Sequence, residues 1–177
     1  MRTFHRLVVL AAATGLLGTG VARAQMEHEV KAAHLFKFLS YVDWPAAAFE
    51  GTRDPFVIGV IDAEEVRASL ADIVRGREAR GRPVEVRRLE SGDATEGVHV
   101  LFIGRPASEP LLRLVGRPAL LLVTEAEGAL DRGAMINLLL VDDRVRFEVA
   151  PQVAERSGLH ISSRLLVLAQ SVRTVAP

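Results

Sequence analysis

The chain has 177 residues, with 22 Lys and Arg against 22 Asp and Glu, 49% apolar residues and no cysteine. That length supports one domain around one core. The even charge balance argues against a nucleic-acid binder, which needs a basic footprint, and the missing cysteine excludes disulfides and a lipid-modified cysteine anchor.

The first residues, MRTFHR, are basic, LVVLAAATGLLGTGV is apolar, and Ala22-Arg23-Ala24 supplies an A-x-A site, which is the order of a secretory signal. Thr14, Gly15, Gly18, Thr19 and Gly20 interrupt the apolar part, which is short for a membrane span of roughly 20 residues. The expectation is a signal peptide over 1–24, cleaved after Ala24, and a folded domain over 25–177. Cleavage removes Arg2, Arg6 and Arg23 and no acid, so the mature chain is slightly acidic.

From Val30 to Pro45 the chain reads VKAAHLFKFLSYVDWP. Ala32, Leu35, Phe36, Leu39 and Val42 recur at helical spacing, Phe38 and Tyr41 widen the stripe, and Glu29, Ala33, Lys37 and Ser40 mark the other side, which predicts an amphipathic helix. Pro45 disfavours helical geometry at Trp44, so the helix should stop near Asp43. The apolar sector is wide and its polar flank carries few cations. That fits core packing better than a membrane surface, with contact to a partner through the flanks as the other reading.

Phe56 to Asp62 (FVIGVID) is a nearly continuous apolar run, as expected of a strand covered on both faces. Ala63 to Val74 reads as a helix with Val66, Leu70 and Ile73 or Val74 inward, GREARG at 76–81 as a solvated turn, and Pro83 to Leu89 as a more exposed strand. Val98 to Ile103 and Ala119 to Thr124 read as buried strands, with a short helix over 108–115 between them. Ala134 to Val141 and Arg144 to Ala150 flank Asp142-Asp143, which predicts a tight hairpin. Pro151 to Ser157 and Ile161 to Arg173 read as helices, the second capped near Ser162. Together these imply a single α/β domain, a mixed β-sheet flanked by α-helices.

A two-residue turn at Asp142-Asp143 sets the hairpin register, opposing Val141 to Arg144, Leu139 to Arg146 and Asn137 to Glu148. One face then carries Ile136, Leu138, Leu140, Val145, Phe147 and Val149 toward the core. The other gathers Asn137, Arg146 and Glu148, with His160 approaching from the loop before the last helix. Two readings stand for that polar face: a solvated surface with a cross-strand ion pair worth under about 1 kcal/mol, or a partner or small-molecule site, because an amide, a guanidinium and a carboxylate together can fix an amphoteric ligand.

The sequence has no G-x-S-x-G, H-E-x-x-H or Gly-rich phosphate loop. His28, His34, His99 and His160 lack ligand spacing, so no metal site is expected. No cofactor is implied, and the chain does not read as an enzyme.

Four blocks, VKAAHLFKFLSYVDWP, HVLFIG at 99–104, GAMINLLLVDDRVRFEV at 133–149 and SGLHISSRLLVLA at 157–169, together resemble the YfiR/HmsC-like family of periplasmic proteins. The resemblance implies a periplasmic location, an α/β domain, a homodimer, and repression of an inner-membrane diguanylate cyclase through its periplasmic sensor domain, which lowers cyclic-di-GMP and biofilm formation. The alternative is a periplasmic small-ligand-binding sensor or accessory protein with another signalling output. The family's understood members hold disulfides and have been linked to redox control, which this cysteine-free chain cannot share. The family often carries paired glycines where this chain has Arg132-Gly133, and a D-G turn where it has Asp142-Asp143.

Overall fold

The wide apolar stripe of VKAAHLFKFLSYVDWP forms one helix that lies across the domain: α1 (Leu16–Tyr41) buries Ala32, Leu35, Phe38 and Leu39. The structure is a computed structural model that describes residues 16–105, 114 and 116–174. Phe36 is only partly buried at the margin of the stripe, while Phe38 takes the central place. The helix ends two residues before Asp43, because Val42 and Asp43 leave it as β1 (Val42–Asp43) and pair antiparallel with β9 (His160–Ile161). The expected cleavage position after Ala24 falls within the exposed early part of α1.

Behind α1 stands an eight-stranded sheet in the order β10-β8-β7-β6-β5-β2-β4-β3. Its strands are β2 (Phe56–Ile61), β3 (Glu78–Ala79), β4 (Arg82–Arg88), β5 (Val100–Ile103), β6 (Leu121–Thr124), β7 (Ile136–Val141), β8 (Arg144–Val149) and β10 (Ser171–Val172). The fully buried runs FVIGVI, VLFI and LLVT lie in the middle as parallel neighbours β2, β5 and β6. Strands covered on both faces are the ones that read as continuous apolar sequence. Antiparallel pairs occur at β3–β4 and β7–β8, so the sheet is mixed. Helix α2 (Glu64–Val74) turns Val66, Leu70 and Val74 inward and packs with α1 and β4. Two shorter helices, α3 (Pro151–Arg156) and α4 (Ser163–Leu168), complete the single α/β domain.

Three local readings need correction or placement. GREARG at 76–81 is a hairpin corner and not only a solvated turn: β3 buries Ala79 beside β4, and Arg80 and Gly81, at φ 53° and 73°, make the two-residue connection. The last helix does not continue to Arg173. Ser162 caps it as expected, its side chain accepting from the Leu165 N–H, but it ends at Leu168. The chain then becomes β10, donating from Gln170 N–H to the Phe147 carbonyl and from Arg173 N–H to that of Val149, each at 2.8 Å. Val167 and Leu168 are exposed, so no buried face was available to extend the helix, whereas the open side of β8 offered backbone partners. The helix expected over 108–115 lies, apart from Leu114, outside the described residues.

Candidate functional site

The β7–β8 hairpin has the register its two-residue turn requires, with Val141 opposite Arg144, Leu139 opposite Arg146 and Asn137 opposite Glu148. Asp142 and Asp143 both hold positive φ, 47° and 61°, so the backbone adopts the primed turn whose twist matches the strands. The strands on either side lengthen the polar pair into a row. Thr124 of β6 is in register with Asn137, and Ser171 of β10 with Glu148. Thr124, Asn137, Glu148 and Ser171 thus cross four adjacent strands at one level, on one face of the sheet.

Asn137 is buried, and its Nδ2 donates to Glu148 Oε1 at 3.1 Å. The other Glu148 oxygen accepts from Ser171 Oγ at 3.4 Å, and the Arg173 guanidinium stands 4.0 Å away. Asn137 Oδ1 is itself buried and has no hydrogen-bond partner among the described residues. The row opens into a cavity of about 410 Å³ lined by Asn137, Glu148, Leu139, Glu125, Glu127, Arg105 and Arg173. Glu125 is already engaged: Lys31, buried on α1, pairs with it and with Glu27.

Arg146 and His160 do not join this row. Arg146 borders a different cavity of about 210 Å³, between α1, β8 and α4, with His34, Lys37, Phe38, Tyr41, Phe147 and Leu168. Arg173 stands near Glu148 in its place, because the early end of α4 brings β10 alongside β8. His160 is exposed in β9 opposite Asp43 and lines neither cavity. Sequence reasoning missed Thr124, Ser171, Arg173 and the Lys31–Glu125 pair. Thr124 ended an apolar run, and Ser171 and Arg173 sat in a segment assigned to helix. Lys31 carries a visible signal, a cation between Val30 and Ala32 at the margin of an apolar stripe, but its acidic partner is 94 residues away.

In the groove beside Arg146, His34 Nδ1 lies 2.8 Å from the Val30 carbonyl, and its ring meets Phe38 and Phe147 at 6.0 and 5.6 Å between centroids. Burial holds the His34 pKa below its ordinary value, against the opposing effect of the Val30 hydrogen bond, so the neutral imidazole is favoured. Lys37 and Arg146 therefore supply the positive charge at an apolar, aromatic-floored groove. Among the described residues no three or more His, Asp or Glu converge as metal ligands, and no helix is long and apolar enough to cross a membrane.

A family model described as YfiR/HmsC-like matches residues 28–170, from the second half of α1 to the residue before β10. The chain belongs to the YfiR/HmsC-like family. All four sequence blocks that suggested this family fall within the matched span. No curated protein matches the sequence. Among solved structures, the YfiR/HmsC-like chain aligns with a conserved domain protein from Vibrio cholerae O1 biovar El Tor at 14% identity and a TM-score of 0.49, over 82% of this chain and 60% of the other. The chain thus spans less than two thirds of that protein's length.

Proposed function

We propose that the protein is exported to the periplasm, cleaved after Ala24, and represses an inner-membrane diguanylate cyclase by binding the cyclase's periplasmic sensor domain. Cyclic-di-GMP and biofilm formation fall as a result. The observation that carries this reading is the family match over residues 28–170. The protein acts by binding, as a homodimer, and no catalytic role is assigned to it.

The surface best suited to the partner is the groove between α1, β8 and α4. Phe38, Phe147 and Leu165 supply an apolar floor and Lys37 and Arg146 a positive rim, while Leu168 and Val167 stand exposed beside it. An apolar segment flanked by acidic residues on the sensor domain complements that arrangement.

Deleting the gene should raise cellular cyclic-di-GMP, and wild-type protein supplied in trans should lower it again. Arg146→Ala should fold normally yet recover less cyclase in a periplasmic crosslinking pull-down. Unchanged cyclic-di-GMP on deletion, together with no cyclase captured by the wild-type protein, would overturn the proposal.

A further inference from the structure

We propose that the open half of β8 takes an added β-strand from the partner, one that sets an acidic, an apolar and an acidic residue opposite Arg144, Val145 and Arg146. This rests on the repressor reading and deepens it: the segment of the sensor domain that enters the groove is extended and pairs with β8 through its backbone.

The register of the hairpin decides which backbone groups are left. Beside a two-residue turn the flanking residues, Val141 and Arg144, form a hydrogen-bonded pair, so Arg144, Arg146 and Glu148 turn their N–H and C=O groups toward β7. The alternate residues Val145, Phe147 and Val149 turn theirs to the outer edge. β10 uses the later part of that edge, because the Phe147 and Val149 carbonyls accept from Gln170 and Arg173 and its pairing begins at Glu148. Among the described residues no strand lies beside Val145 on that side, so its N–H and C=O and the Phe147 N–H are directed outward from the sheet. A row of main-chain donors and acceptors at a sheet edge is a template for another strand.

Side chains narrow the partner. Phe147 packs its ring against His34 and Phe38 of α1, so Val145 and Phe147 share the face toward the groove, and alternation sends Arg144 and Arg146 to the other. With no strand beside it, Arg146 also borders the groove from that side. On an added strand, a residue opposite Val145 points toward the groove, where Leu165 and the 61% exposed Leu168 line the α4 side. That position calls for an apolar side chain. Its two neighbours stand opposite Arg144 and Arg146, which are exposed. Glu148, two residues beyond Arg146 on the same face, already accepts from Asn137 and Ser171. Acids on the added strand therefore complement the two guanidiniums, since opposite charges facing each other across a strand pair are favourable. The same charges argue against a second copy of the chain. The antiparallel self-pairing that leaves β10 in place centres on Val145 and sets each Arg144 against an Arg146, and like charges directly opposite are destabilising.

Amide hydrogen exchange of the full mature chain, alone and with the purified sensor domain of the cyclase recovered by the crosslinking pull-down, tests this. Binding should slow exchange at Val145 and Phe147 by about tenfold or more. Val145→Pro removes an outward N–H without touching the β7 ladder and should lower cyclase capture by about tenfold, whereas Val145→Ile keeps that N–H and should capture as the wild type does. Because the proline variant could fail to fold, melts accompany it and Arg144→Glu serves as the second variant. Arg144 does not line the groove, so capture should fall in this variant if a strand crosses β8 and stay unchanged if the partner only fills the groove. Wild-type capture by a folded Val145→Pro or by Arg144→Glu, or unchanged exchange at Val145 in a complex that does form, would overturn the added strand and leave the repressor reading standing. Slowed exchange at Val145 in the chain alone as its concentration rises would make a second copy the occupant and equally overturn it. A wild-type protein that captures no cyclase overturns the inference too, and the cyclic-di-GMP measurement on deletion then decides the repressor reading separately.

Discussion

His99 shows how far one buried ring can couple this fold to pH. Its Nδ1 accepts from the Val57 N–H at 3.1 Å, leaving Nε2 to donate to the Ala48 carbonyl at 3.0 Å, so the neutral tautomer is fixed from both sides. Phe49 stacks on the ring at 4.5 Å, and the Arg82 guanidinium covers Phe49 at 3.8 Å. Burial lowers the His99 pKa below 6.5, with the Ala48 hydrogen bond opposing it, and burial lowers that of His34 in the same direction. The unfolded chain then binds protons more readily than the folded one just below the ordinary histidine pKa. The stability these residues contribute is complete above about 6.5 and is lost as pH falls toward their lowered values. Denaturant unfolding between pH 8 and pH 5 should show declining stability, with a shallower decline in His99→Gln; a flat wild-type profile would contradict this. Lys31 supplies a second test at this scale. Removing its charge leaves the largely buried Glu125 without its partner, and Lys31→Met should cost about 3–5 kcal/mol. Adding Glu125→Leu to Lys31→Met should recover most of that loss in the same unfolding measurement.

Among the elements, the hairpin was the most legible part of the chain. Asp142-Asp143 between two alternating runs fixed both turn and register, and register alone brought Asn137 to Glu148. The turn nonetheless uses two non-glycine residues at positive φ, each in a conformation that L-residues adopt at some cost. Asp143→Gly should raise stability by about 0.5–1 kcal/mol in thermal or denaturant melts. Little is lost in exchange, because the Arg23 that pairs with Asp143 is exposed and belongs to the expected signal peptide. Helical spacing and strand alternation also nominate Phe36 and Phe147 as core residues, but packing separates them. Phe147 is buried against Phe38 at 5.5 Å between ring centroids, while Phe36 is only partly buried. Phe147→Ala should cost about 3–5 kcal/mol, and Phe36→Ala clearly less, in paired unfolding curves. Such differences escape a periodicity argument, because a stripe broader than half a helix does not say which of its members meets the sheet.

For the molecule as a whole, the alternation of apolar runs and helical segments was enough to imply a mixed α/β sheet, since each buried strand carries its own signal. The polar row beside the cavity was only half visible. Asn137 and Glu148 are neighbours through a local turn, whereas Thr124, Ser171 and Arg173 arrive through pairings between distant segments, which no spacing within one element encodes. The placement of β10 has a further consequence for solubility. Both outer strands of the eight-stranded sheet, β3 and β10, are only two residues long, β3 pairing with Arg82 and Pro83 of β4 and β10 with Glu148 and Val149 of β8, so each covers one end of a longer neighbour. The C-terminal half of the six-residue β8 is shielded on that side by the few residues after α4. A chain ending at Ala169 would keep most of the core yet bare that half of the strand, freeing the Phe147 and Val149 carbonyls that now accept from Gln170 and Arg173. The truncated protein should therefore self-associate with a rising β-sheet signal under conditions where the full chain does not, as light scattering and circular dichroism would register. That outcome would make the last few residues of the described chain a guard against aggregation.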